Sequence, residues 1–93
     1  MRKVSASHYG GPNGIYVELG DVGLWFSYQT CVAFRTSSLF AICENVWGTT
    51  TGKHLNAIDP DKGKRMSAEG FKRALSDLVS GMEFRLNTFN RVF

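Results

Sequence analysis

Several things are scarce in this 93-residue chain, and each scarcity excludes a class of protein. No apolar run approaches the roughly 18 residues that a membrane-spanning helix needs, so a membrane partner is not expected. The opening MRKVSASHYGG has a basic pair but no apolar stretch behind it, which reads as a chain that is not exported and works in the cytoplasm. Cysteine is limited to Cys31 and Cys43, whose separation is not the C-x-x-C of a zinc or redox site. Both lie in strand-like apolar runs, so buried, reduced thiols are expected, with no metal and no cofactor. Internal repeats and low-complexity tracts are also absent.

What is present is ordinary in bulk and uneven in detail. Hydrophobic residues make up 43% and charged residues 20%, as in a globular domain, but an aromatic share of 13% is high for so short a chain. Either the core is aromatic-rich or some aromatics face outward. At this length one core is expected, hence a single domain over 1–93. The net charge of +3 is concentrated in the second half. Between Val4 and Gly52 there is one base, Arg35, against Glu18, Asp21 and Glu44. Lys53, Lys62, Lys64, Arg65, Lys72 and Arg73 then outnumber Asp59, Asp61 and Glu69, a field that suits acidic partners, nucleic acid included.

Local patterns predict an α+β fold, a four-stranded antiparallel sheet of two hairpins packed on a C-terminal helix, with a short helix after the sheet. Residues 1–14, rich in Gly, Ser, Asn and Pro, read as a flexible arm. Residues 15–45 form the sheet. Gly20-Asp21 suits a two-residue hairpin loop, and the register it sets pairs Leu19 with Val22, Val17 with Leu24 and Ile15 with Phe26 on one wholly apolar face. Tyr16, Glu18, Trp25 and Ser27 take the other face. A second hairpin pairs Thr36 with Leu39. It sends Val32, Phe34, Leu39, Ala41 and Cys43 to the core face and Cys31, Ala33, Arg35, Phe40, Ile42 and Glu44 to the reverse, so the two cysteines are expected on opposite sides. A short helix is predicted over 50–58 and a turn-rich loop around Asp59-Pro60-Asp61. Phe71, Ala74, Leu75, Leu78, Val79 and Met82 make one helical stripe over 67–81, capped by Ser67 and stopped at Gly81. It is expected to pack on the Ile15 to Phe26 apolar face. For 83–93 the sequence leaves a second short helix or a strand open, with Leu86, Phe89 and Phe93 able to prolong the stripe.

The segment Gly48-Thr49-Thr50-Thr51-Gly52-Lys53-His54 invites comparison with a phosphate-binding GxxxxGK[ST] loop and fails it: one residue is missing between the glycines, and His54 stands where Ser or Thr would hold magnesium. A weaker reading has Thr50 or Thr51 capping the short helix so that its free N–H groups, with Lys53, hold an anion. The plainer reading is a capped turn that anchors Leu55 and Ile58. His8 and His54 have no carboxylate or cysteine at ligand spacing, and no nucleophile–base arrangement can be assembled, so no catalytic residue is expected. Tyr16, Trp25, Phe40 and Ile42 share the face away from the main helix. Either the tail folds over them, or they are aromatic anchors for a partner.

Two segments, Phe26-Ser27-Tyr28-Gln29-Thr30-Cys31-Val32-Ala33-Phe34 and Glu44-Asn45-Val46-Trp47-Gly48-Thr49-Thr50-Thr51-Gly52-Lys53-His54-Leu55-Asn56, resemble a family of small uncharacterised phage and bacterial mobile-element proteins with the patterns S-Y-x-T-x-V-A-F and W-x-x-T-T-x-K-H-[LI]-N. The resemblance implies a viral or accessory-genome setting, where proteins of this size often inhibit host or defence machinery such as CRISPR effectors. The resulting expectation is a non-enzymatic interaction protein acting in the host cytoplasm on a host protein or ribonucleoprotein, with a homo-oligomer also open. Its partner-binding residues would be Tyr16, Trp25, Arg35, Phe40, Trp47, Thr50, Lys53 and His54, and Trp25 would be replaceable without loss of the fold. The alternative is a nucleic-acid-binding accessory protein using the basic surface of Lys62, Lys64, Arg65, Lys72 and Arg73.

Overall fold

The computed structural model describes residues 4–92, with side chains described as far as Gly81. Its centre is a six-stranded sheet in which the strand order follows the chain order: β1 (Val4–His8), β2 (Gly14–Leu19), β3 (Val22–Ser27), β4 (Thr30–Arg35), β5 (Phe40–Cys43) and β6 (Arg65–Met66). The first five strands run antiparallel, and β6 joins β5 in parallel. A parallel neighbour needs a long crossover. Here α1 (Thr49–Ile58) and a single 3-10 turn (Lys62–Lys64) supply it.

The β2–β3 hairpin has the expected register, Ile15 with Phe26, Val17 with Leu24 and Leu19 with Val22. Gly20 takes φ +64° at the first loop position, which a residue with a Cβ adopts only at a cost. In the second hairpin Arg35 pairs with Phe40, and the Thr36 N–H donates to the Leu39 carbonyl at 2.7 Å.

Four features differ from the sequence reading. The sheet has six strands because the supposed flexible arm contains β1, paired with β2 along its whole length, and because β6 adds a short strand after the 3-10 turn. The helix predicted over 67–81 runs on as α2 (Ala68–Val92), since Gly81 keeps helical φ and does not cap it. The expectations for the side chains of Leu86, Phe89 and Phe93, and for a tail folded over the sheet, lie outside the described residues.

The third difference is a bulge. Trp25 pairs with Ala33 but Phe26 with Cys31, leaving Val32 as an extra residue in β4. Parity switches at that point. Val32 joins Ala33, Ile42 and Leu55 in one cluster, while Cys31 packs with Phe34, Ala41, Cys43 and Phe71 in the other. The cysteines therefore share a face, contrary to the simple alternation.

Fourth, the sheet is covered on both sides. α1 lies over the Trp25, Ala33 and Ile42 face and inserts Leu55, which is fully buried. α2 lies on the opposite face and inserts Phe71, whose ring centre is 5.7 Å from that of Phe34. Among the described side chains its seat is β4 and β5, and of the six apolar hairpin residues expected beneath it one, Leu24, packs against the Phe71 cluster. No helix among the described residues is long and apolar enough to cross a membrane.

Candidate functional site

The aromatic face singled out from the sequence is largely occupied by its own contacts. Trp25 lies between Tyr16, at 4.7 Å between ring centres, and Phe40, which meets it edge-on at 5.9 Å. It also packs against the Leu55 cluster beneath α1. Arg35 donates through Nε and Nη2 to the Tyr16 hydroxyl and through Nη2 to Glu18 at 2.7 Å. Gly23 makes room for this group, since a Cβ there would sit 2.5 Å from the Tyr16 hydroxyl. Trp25 is thus half-buried and packed against the core, and its removal is expected to damage the fold, contrary to the sequence expectation. Phe40 alone of this set remains exposed.

His54 is corrected as well. It is 2% exposed, and its Nδ1 lies 2.7 Å from the Ser27 hydroxyl, which in turn is 2.9 Å from the Thr51 hydroxyl. The rings of Tyr9 and Tyr28 flank it at 5.6 and 6.1 Å. Sequence reasoning found no partner for His54 because Ser27 lies 27 positions away. The pair puts a hydroxyl beside an imidazole, the elements of a nucleophile and a base. Ser27 is itself 3% exposed and shared with Thr51, so the arrangement ties α1 to the end of β3. Among the described residues no group of three or more His, Cys, Asp and Glu could hold a metal ion.

The Thr50 or Thr51 cap does not form. Gly48 is the N-cap of α1, without a side-chain cap bond. Asn45 organises the approach instead, its Oδ1 accepting from the N–H groups of Trp47 and Gly48. Thr51 turns inward to Ser27, whereas Thr50 and Lys53 stay exposed. The basic residues are partly engaged: Lys64 pairs with Asp59 at 3.2 Å, and Arg65 donates to Asn56 at 2.8 Å. Lys62, Lys72 and Arg73 are exposed.

Three of the exposed large apolar residues, Tyr28, Val46 and Trp47, lie at one end of the sheet. Ser27 pairs with Thr30, so Tyr28 and Gln29 form a two-residue hairpin loop, and Tyr28 takes φ +57°. A left-handed backbone costs a residue with a Cβ roughly 1–2 kcal/mol, and glycine is what such a loop ordinarily uses. Tyr28 is nevertheless 52% exposed. Beside it the loop before α1 exposes Val46 and Trp47, at 56% and 43%. Two cavities flank Trp47. One, of about 330 Å³, is walled by Ser27, Tyr28, Thr30, Val32 and the threonines 49–51. The other, of about 410 Å³, lies between Trp47, both cysteines and Phe71, with Lys72 at its side. The two sequence segments that carry the family resemblance thus meet around the first cavity.

The thiols beside the second cavity are both free and hard to ionise. Burial pushes Cys31 up to about 11, with a smaller opposite effect from hydrogen bonding with the Ala33 backbone. Burial also raises Cys43, with Glu44 adding and Lys72 opposing. Tyr9, whose hydroxyl donates to the Phe26 carbonyl at 2.9 Å, is pushed up to about 12, by burial first and Cys31 second.

No curated protein and no solved structure matches this chain significantly. A family model does match, over all six strands, α1 and the start of α2, and so over the whole of this sheet end. Residues 4–73 match the model of a family of unknown function, DUF8033, and the chain belongs to that family.

Proposed function

We propose that the protein is a non-enzymatic interaction module whose binding surface is the sheet end formed by Tyr28, Val46 and Trp47. The observation that carries this reading is Tyr28, an exposed aromatic held in a strained backbone conformation at a hairpin tip. Its ring centre lies 6.1 Å from that of His54, yet the residue stays exposed, and strain of this kind concentrates at functional sites. Trp47 and Tyr28 both border the 330 Å³ cavity, an arrangement in which rigid aromatic rims receive an apolar side chain of a partner. The polar interior of Ser27, Thr51 and His54 holds the Tyr28 loop and α1 together, so the cavity is pre-organised. The phage setting implied by the resemblance makes the partner a host protein or ribonucleoprotein, such as a defence effector.

The test places a photoreactive phenylalanine analogue at Trp47 and, as control, at Phe40, then captures partners from host lysate with and without nuclease. Capture of a protein through position 47, retained in raised salt and lost on Tyr28→Asn, is the expected result. Binding that persists in Tyr28→Asn but disappears with salt, nuclease or Lys62→Ala/Lys64→Ala would move the function to nucleic acid, because phosphate binding weakens steeply with ionic strength.

A further inference from the structure

The two edges of the sheet are built differently. β6 offers two residues and is followed directly by α2. β1 offers five residues, all exposed, with no proline, no bulge and no Lys, Arg, Asp or Glu, which are the usual devices for protecting an edge.

Its hydrogen bonding can be worked out in full. The Tyr9 N–H donates to the Gly14 carbonyl, and β1 pairs Ser7 with Tyr16 and Ser5 with Glu18. Bonded and non-bonded pairs alternate in an antiparallel ladder. Tyr9, Ser7 and Ser5 therefore turn their backbone groups inward to β2, and Val4, Ala6 and His8 turn theirs outward. The β2–β3 ladder agrees, since the Tyr28 N–H donates to Asn13 and the odd-numbered residues of β2 face β3.

We propose that β1 pairs antiparallel with β1 of a second copy of this chain, about a two-fold axis at Ala6. In that register Val4 faces His8 of the second copy, Ala6 faces Ala6, and His8 faces Val4. All three positions carry outward backbone groups, so every free donor and acceptor of the strand finds a partner, as the self-complementarity of a two-fold interface requires. Ser5 meets Ser7 on the other face, and the ladder opposes no like charges. The smallest residue lies on the axis. The pairing also extends an apolar surface, because Val4, Ala6, Val17 and Leu19 share the face on which the described residues of α2 pack over β3, β4 and β5, and Val4 is 71% exposed. A foreign strand would satisfy the backbone equally well, but nothing in its sequence would be bound to place Val4 against His8 and Ser5 against Ser7.

A ladder this short buries less than the roughly 1,200 Å² of a stable interface, so the association is weak and concentration-dependent. Sedimentation equilibrium up to about 1 mM, the weak end of specific association, reads it directly. The expected result is a reversible shift from one to two chain masses. Ala6→Pro removes only an outward N–H, which an edge strand tolerates, and should leave a folded monomer. Ala6→Lys sets two like charges across the axis and gives the same readout should the proline variant fail to fold. Ala6→Cys should form a disulfide-linked dimer on mild oxidation, whereas Phe40→Cys should not. A wild-type monomer throughout, a dimer that both Ala6→Pro and Ala6→Lys leave intact, or a β1 that captures a different protein while the chain stays monomeric would overturn the proposal.

Discussion

Tyr28 and the two cysteines show how much a single side chain can report. In Tyr28→Asn, asparagine adopts φ near +57° more readily than tyrosine. The variant should keep its thermal stability, or gain up to about 1 kcal/mol by relief of strain, while partner affinity falls at least about tenfold. Loss of stability in a denaturant melt would show that Tyr28 is retained for its contact with His54 instead. Cys31, Cys43 and Tyr9 make a joint prediction about pH. Their folded-state values lie above those of the unfolded chain, where the thiols titrate near 9.0 and the phenol near 10.0. The unfolded state then loses its protons first as pH rises, so stability should be flat below about pH 8 and decline from about 9 towards 12. Urea melts across that range check it, and Cys31→Ala should flatten the slope.

At the scale of elements, the antiparallel hairpins and the C-terminal helix were legible because their signals are local. Gly20-Asp21 sets one register, and the 3.6-residue stripe from Phe71 to Leu78 marks one helix face. The rest depended on tertiary context. β1 alternates Val4 and Ala6 with two serines, and its stability comes from the ladder with β2 and from Tyr9 anchored on Phe26 and His54, none of which is local. The bulge at Val32 has no glycine to announce it and reversed the placing of Cys31. Of the candidate site, the sequence points to Trp47 and Thr50 but not to Tyr28 and Val46, and it offers His54 no partner because Ser27 is remote in sequence. Two substitutions separate the seats of α2. Phe71→Ala should cost about 3–5 kcal/mol, because the ring is 2% exposed between Phe34 and Cys43. Gly81→Ala should stabilise by about 0.5–1 kcal/mol, since a Cβ there meets nothing within 4 Å and the helix continues through it. A loss on Gly81→Ala, read by thermal melting, would mean that the helix ends at that residue after all.

For the molecule as a whole, the covered and uncovered parts divide the labour. β4 lies between α1 and α2, with Val32, Ala33 and Phe34 at 0–1% exposure, and forms the rigid centre. The open features lie away from that centre, at the Tyr28 and Trp47 end and along β1. The strand order has a further consequence. From β1 to β5 every strand pairs with the one made immediately before it, so each pairing closes only a short loop of chain. The sheet can therefore assemble progressively as the chain emerges during synthesis, and only β6, α1 and α2 must wait for later residues. Refolding in stopped flow should therefore be fast for a sheet of six strands. Nascent chains truncated after about residue 58 should already protect the β2–β4 amides from hydrogen exchange, and an unprotected sheet at that length would show that α2 must dock before the strands hold.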